Sequence, residues 1–510
     1  MSVTLRFVPQ PIGVPRWPSP RSGGLGAGLI DAFIAVDGSV PRRGDLERPD
    51  VLVVTTGQQP GLFTGPAYTI HKAFSARALA LLLQERWARP VVPVFWLAGD
   101  DHDFAEASHA AWPAADGTLR EWRSPARPAS APLTPMYQEP LGAEIDAAID
   151  QFTADLETAQ FRVPSVDWLR RHYRTGATVA GAYAGAMAEL LAPFGIVCFD
   201  PTRTSARRAM APLLLRAAAA AVPIDQQLAA HSAKLTAAGR DPEVSVGDGA
   251  ALVMLEGRAG RDRLVVRDGG FVTRRGEERI SGAELQAIAA AEPERLSPNV
   301  LLRPVVEAAI LPTVAYVAGP GELRYLALTA PVYAALEVVP QLPVPRWSGI
   351  VVEPFVDRTL EKFGATLDEL VRDGAALEAK VARRHFPGEI ADALAAVRTA
   401  VEAGYGVLER GAGAIDSTLI RTMQGLRERS LFAAEQAERK LIRGLKRRET
   451  TEIAQVTRAR TAVRPGGQPQ ERVLTAAVWV ARYGPGFLSE LAAQIEGWYR
   501  SALEASPGGR

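Results

Sequence analysis

A single cysteine, Cys198, stands in 510 residues, which excludes an intrachain disulfide and a cysteine-built zinc site. Lysine is scarce too. Lys72, Lys234, Lys362, Lys380, Lys440 and Lys446 are the whole set, and nearly all positive charge is arginine. A mechanism that needs a mobile ammonium on a phosphate is therefore narrowed to Lys72, the lysine that belongs to the candidate site below. No run of about 20 apolar residues suggests a membrane span, and the first residues lack the continuous apolar stretch of a signal peptide. A cytoplasmic location is the default expectation. The formal net charge of +1 gives no global reason to expect nucleic acid. With 47% hydrophobic and 23% charged residues the chain reads as an ordinary globular protein, too long for one core, and about three units are expected.

The most informative stretch is 51–104, VLVVTTGQQPGLFTGPAYTIHKAFSARALALLLQERWARPVVPVFWLAGDDHDF. Its first apolar run, 51–54, is short, β-branched and uninterrupted, as in a parallel strand covered on both faces. The run stops at Gly57-Gln58-Gln59-Pro60-Gly61, where glycine lets the backbone turn and a ligand approach the main chain. Residues 67–87 suit a helix, and Pro90 breaks it before a second apolar run, Val91–Leu97. Ligands of open parallel sheets collect outside the carboxyl ends of the strands, where Gly57 to Gly61 and Asp100 to Asp103 both fall.

Three further apolar runs read as strands of the same sheet: 195–199, Thr313–Ala318 and Gly349–Val352. The spacing divides the chain into a first core part (1–109), an inserted domain (110–183), a core strand (184–204), a second inserted domain (205–296) and the last core part (297–356). Beyond residue 357 proline almost disappears and leucine and alanine recur at helical spacing, which predicts two or three long helices in an antiparallel coiled coil over 357–462. A basic run, 439–448, sits on the last of these helices and reads as a solvated face rather than an anion site. Residues 463–510 form a linker and a helical tail.

At the sheet edge, Gln58 and Gln59 can each donate and accept, and loop amides at a helix start favour anions. The glycine loop is neither a Walker A motif nor GxGxxG, so a plain tight turn explains it equally well. His71 and Lys72 follow on the helix. Asp100, Asp101, His102 and Asp103 crowd carboxylates beside an imidazole, so either a pKa is displaced or a cation is present; a helix N-cap is the plain alternative. Adjacent ligands point in different directions, so no metal is assigned there. Gly319-Pro320-Gly321-Glu322 repeats the strand–turn–helix arrangement, with Tyr325 beyond it. Arg303 and Arg346 precede strands that lead to the same edge. Cys198, inside an apolar run, reads as a small core residue and not a nucleophile.

The blocks TGQQPGLFTGPAYTIHKAFSARALA (56–80), PVVPVFWLAGDDHDFAEASH (90–109), SPNVLLRPVVEAAILPTVAYVAGPGELRYL (297–326) and QERVLTAAVWVARYGPGFL (470–488) resemble the bacillithiol biosynthesis cysteine-adding enzyme family. The resemblance implies an α/β fold, a Rossmann-like parallel-sheet core with two inserted connecting-peptide domains and a C-terminal α-helical coiled coil that makes a homodimer. It implies a ligase that joins cysteine, through its carboxyl group, to the amine of glucosaminyl malate. ATP and Mg2+ are the expected activators. In that chemistry His71 and Lys72 would stabilise charge on the transferred group, and Asp101, His102 or Asp103 would accept the amine proton. Arg346 would be the mobile cation after the last core strand, and Arg303 would hold a malate carboxylate. The expected binding set within these blocks also includes Gly57, Gln58, Gln59, Gly61, Thr64, Tyr68, Trp96, Asp100, Asn299, Gly319, Gly321, Glu322 and Tyr325. The competing expectations are a nucleotide-binding coiled-coil dimer without this catalysis and a ligase or nucleotidyl transferase with another acceptor.

Overall fold

The computed structural model describes residues 5–38, 40–448 and 450–506. Five parallel strands build the core: β1 (Leu52–Gln58), β2 (Val91–Leu97), β3 (Val197–Phe199), β4 (Thr313–Ala318) and β5 (Leu342–Pro345). They lie in the order β5-β4-β1-β2-β3. The chain thus runs outward from β1 to β3 and returns on the other side of β1, leaving a topological switch point between β1 and β4. The register is continuous from Leu52 opposite Val91 to Gln58 opposite Leu97, and Tyr316 of β4 lies opposite Thr55 of β1. Gly57 of β1 leaves no room for a side chain: a Cβ there would stand 2.9 Å from the Trp96 carbonyl.

The helices that frame the switch point are α1 (Tyr68–Trp87), α2 (Arg303–Ile310) and α3 (Pro320–Leu326). Helix α1 is buried over most of its circumference, the polar Thr69, His71, Lys72 and Ser75 included. It packs between the sheet and a helix from the far end of the chain. The loop before α1 is locked rather than free. Phe63 and Thr64 both take positive φ, 51° and 72°. Phe63 is held in a cluster with Trp112, Phe152 and Tyr173, and the Tyr173 hydroxyl bridges the Gly61 carbonyl and the Thr64 amide.

Gly349–Val352 is a strand, but not of this sheet. It pairs antiparallel with Arg6–Pro9, and the fifth core strand is β5, whose prolines sit on a sheet edge where a missing donor is tolerated. Within 110–183 lie nearly all of a hairpin, His109–Pro113 with Leu119–Arg123, and helices Glu144–Asp155 and Arg162–His172. Within 205–296 lie nearly all of three helices, Thr204–Ala219, Ala221–Ala237 and Gly282–Ala291, and the larger part of a five-stranded antiparallel sheet that Leu296–Pro298 completes.

Among the described residues helical segments fill most of 354–463. The longest, α4 (Gly388–Ile415) and α5 (Thr418–Arg448), form the antiparallel hairpin. In the basic run Arg439 pairs with Glu435, one turn away; the side chains of 446–448 lie outside the described ones. The tail returns to the core. Its helices include α6 (Gln470–Val473) and α7 (Pro485–Glu504). Tyr499 of α7 donates to the Pro345 carbonyl, Trp17 donates to Leu503, and the Ala67 amide at the start of α1 donates to Leu474. The C-terminal segment thereby forms part of the wall of the switch-point crevice.

Candidate active site

A cavity of about 460 Å³ opens at the carboxyl ends of β1 and β4. Its floor is a buried charge network. Lys72, from the first turns of α1, donates to the Gly57 carbonyl and lies 3.3 Å from Gln58 Oε1 and 2.8 Å from Glu322 Oε2. Glu322 also accepts from the Tyr316 hydroxyl at 2.6 Å and from the Gly319 amide at 2.8 Å. Burial presses the Lys72 ammonium down and would by itself push Glu322 up. The ammonium, the tyrosine hydroxyl and the amide outweigh it and hold the Glu322 carboxyl below its ordinary range, so the pair is ionised.

Behind this pair, Arg303 at the start of α2 donates through Nη1 to Glu307 at 2.8 Å and lies over the Tyr316 ring at 4.8 Å. Glu307 is fully buried and also accepts from Thr55 and Gln341. Nη2 of Arg303 is buried and makes no well-formed hydrogen bond.

A second network comes from the returning tail. Glu471 of α6 takes both arms of the Arg346 fork and the hydroxyl of Ser348 at 2.8 Å. His71 Nδ1 lies 3.0 Å from the same carboxylate. Burial lowers the pKa of His71, and the Arg346 fork already neutralises Glu471, whose carboxyl is held well below the usual range despite its own burial. His71 is therefore a neutral imidazole that donates from Nδ1, edge-on to Trp347. Arg346 is buried and pinned, not mobile.

The acid cluster sits opposite, after β2. Asp101 Oδ1 accepts from the amides of His102 and Asp103 at 2.6 and 3.0 Å, and Oδ2 accepts from Gln59. Burial opposes charge on Asp101, but Arg261 and these donors hold its carboxyl below the ordinary range. Asp103 caps the short helix Phe104–Ala107 by accepting from the Glu106 amide at 3.1 Å. The cation required by the crowded acids is arginine: Arg207 and Arg261, both from the second insertion, approach Asp100 at 3.8 and 3.9 Å. Burial and Arg261 lower the pKa of His102, whose Nδ1 faces Arg261 Nη1 at 3.3 Å. Glu106 reaches the cavity. Partial burial and the neighbouring charges of Asp103 and Asp101 push its carboxyl up to about 7. The residue keeps substantial solvent contact, so the like-charge repulsion is the firmer of the two causes.

Of the residues singled out in the sequence, the cavity is lined by Gly57, Gln58, Gln59, Tyr68, Lys72, Trp96, Asp100, Asp101, Asn299, Arg303, Gly319, Gly321, Glu322, Tyr325 and Arg346. His71, Gly61, Thr64, His102 and Asp103 are not brought to it. His71 stands behind the wall. Gly61 and Thr64 belong to the locked turn, Asp103 is spent on a helix cap, and His102 lies beside Arg261. Sequence reasoning missed Glu106, Arg261 and Arg472 among the lining residues and Glu471 behind them. Glu471 and Arg472 do fall in the block 470–488, and that was the available signal. Among the described residues no group of three or more His, Cys, Asp or Glu side chains is placed to hold a metal ion.

Residues 42–347 match the N-terminal Rossmann-like domain of bacillithiol biosynthesis BshC, and residues 349–498 match its C-terminal coiled-coil domain. A protein of Koribacter versatilis named "Putative cysteine ligase BshC" is 32% identical over 438 residues, covering 86% of this chain and 80% of the relative. Relatives of the same name from Solibacter usitatus and Salinibacter ruber are 31% and 30% identical, over 90% and 88% of this chain and 85% and 81% of their own.

Proposed function

We propose, from the premise that this chain belongs to the bacillithiol biosynthesis BshC family, that it is a cysteine ligase that joins the carboxyl carbon of cysteine to the amine of glucosaminyl malate. The observation that carries the reading is the coincidence of that family match with a cavity at the switch point that is lined by carboxylates, Asp100, Asp101 and Glu106, and by guanidiniums, Arg261, Arg303 and Arg472. A substrate bearing both an amine and carboxylates finds partners of either sign there.

Amide formation from a free carboxylate in water is uphill, so ATP with Mg2+ is the activator in this reading. The residues present fit those groups: Asp100 and Asp101 line the cavity and would offer lone pairs to an ion carried on phosphates, and a buried guanidinium donor remains there. This chain's own part is to orient the two substrates, keep the amine uncharged at the moment of attack and take up its proton. Glu106 is the proton acceptor we assign. Asp101 is occupied by Gln59 and two amides, Asp103 by its helix cap, and His102 does not line the cavity, whereas Glu106 faces it with a pKa near neutrality. His71 acts at one remove, by holding Glu471 and through it Arg346.

In this reading the reaction is cytoplasmic; no helix among the described residues is long and apolar enough to cross a membrane. Two copies pair through the α4–α5 hairpin, on which Val407, Leu408 and Phe432 are among the exposed apolar side chains.

The test is mass spectrometry of the protein incubated with cysteine, glucosaminyl malate, Mg2+ and ATP, beside an omission of ATP. Bacillithiol accompanied by AMP or ADP in equal amount, and lost without ATP, is the expected result. Product formed without ATP removes the activator from the reading, and no product in any nucleotide mixture removes the ligase.

A further inference from the structure

Most cationic donors of the cavity are already spent. The Lys72 ammonium serves Gly57, Gln58 and Glu322. Arg346 gives both arms to Glu471. Arg261 is held by Ser297 Oγ at 2.8 Å and the Pro298 carbonyl at 2.7 Å, with its third nitrogen facing His102. Gly319, the amide that the turn after β4 offered, donates to Glu322. Two donors are left over. One is Nη2 of Arg303, which is buried and makes no well-formed hydrogen bond, while Nη1 is anchored on Glu307 and the Tyr325 hydroxyl interacts with the same guanidinium. The other is Arg472, which lines the cavity and has no hydrogen bond or ion pair among the described residues. Arg472 is itself solvent-exposed where it lines the cavity, while its backbone is fixed through its neighbour Glu471, which is buried against Arg346, Ser348 and His71.

An unpaired buried guanidinium nitrogen is costly, and the common remedy is an anionic oxygen of a ligand. We propose that Arg472 and Nη2 of Arg303 form a two-point carboxylate clamp, and that it holds the two carboxylates of the malyl group of the acceptor. The clamp rests on the ligase reading for the identity of the acceptor. It makes Arg472, supplied from beyond the coiled coil, a specificity-determining residue. A phosphate would satisfy the same guanidinium chemistry, but two donors on separate elements suit two separate carboxylates better than one compact anion. The Gly319 amide, which a phosphate cradle at the turn after β4 would use, is already taken by Glu322.

The test is calorimetric titration of the full chain with L-malate, lactate and ATP, in the wild type, Arg472→Gln and Arg472→Lys. Binding of malate tighter than lactate, weakened about ten- to a hundredfold in Arg472→Gln and partly restored in Arg472→Lys, with ATP affinity unmoved, is expected. In turnover, KM for glucosaminyl malate rises by a similar factor while KM for cysteine stays within about threefold. The clamp is overturned if the wild type fails to bind malate, if Arg472→Gln binds it as the wild type does, or if the loss falls on ATP instead. The two readings fail separately. A wild type that makes no bacillithiol sinks the ligase while the malate titration still decides the clamp; normal turnover with an unchanged acceptor KM sinks the clamp alone.

Discussion

His71 Nδ1 lies 3.0 Å from the Glu471 carboxylate, a contact across 400 positions that ties the first core helix to the segment entering after the coiled coil. Glu471→Gln keeps the shape but leaves the Arg346 guanidinium buried without a counter-charge, and a loss of about 3–5 kcal/mol in denaturant unfolding is expected. The pH dependence has a definite sign. Burial depresses the folded pKa of His71, so below about 6.5 the unfolded chain binds a proton that the folded chain refuses, and stability falls as pH drops. Glu471, held below the ordinary carboxylate range, adds stability that is present above its unfolded pKa and is lost as pH falls through the folded one. Stability measured against pH should show the first limb in the wild type and lack it in His71→Gln. A wild type equally stable at pH 7 and pH 5 contradicts a neutral His71.

Lys72, which is buried, and Glu322, which is partly exposed, form the ion pair at the cavity floor, and each would lack its counter-charge without the other. Lys72→Met and Glu322→Gln should each destabilise strongly, while the double variant loses less than the sum, with a coupling of about 0.5–3 kcal/mol. Strict additivity in the double-mutant cycle would mean that the pair is not formed.

Much of the core was legible because its signals are local. Val91–Leu97 and Thr313–Ala318 are uninterrupted apolar runs with turn residues at their ends, and they are strands at those limits. Leu342–Pro345 escaped notice because Pro343 and Pro345 argue against a central strand; it is an edge strand, where the objection lapses. Gly349–Val352 has the β-branched look of a core strand, and only its partner, Arg6–Pro9, reveals a different sheet. The site divides in the same way. Gln58, Lys72 and Glu322 sit on strand–turn–helix segments that periodicity can place. Arg261, Glu471 and Arg472 arrive from an insertion and a tail, and no local pattern says that a distant segment closes a crevice.

Cys198 is buried on β3, and burial pushes its thiol up to about 12, so almost no thiolate exists near neutral pH. Native protein should resist iodoacetamide at pH 8 and become labelled in denaturant. Cys198→Ala should still incorporate free cysteine into product, at a stability cost of about 1 kcal/mol. Loss of turnover in a folded Cys198→Ala would put the side chain into the chemistry after all.

Glu106 makes the mechanism testable through pH. As the acceptor of the amine proton it must be ionised, so kcat/KM should rise with pH through about 7, the value to which burial and the charges of Asp103 and Asp101 push it. Glu106→Gln should lower kcat/KM by about 10²–10⁴ and abolish that limb. Asp103→Asn offers a sharper check, because asparagine still caps the helix that carries Glu106 while removing one like charge. Less repulsion makes ionisation easier, so the limb should move to lower pH with the plateau rate largely kept. A shift to higher pH would contradict the electrostatic origin of the raised value. If the limb survives in Glu106→Gln, the proton goes elsewhere. His102 is then the first alternative, since only Arg261 stands against its ring nitrogen, and a small displacement of that guanidinium would free it.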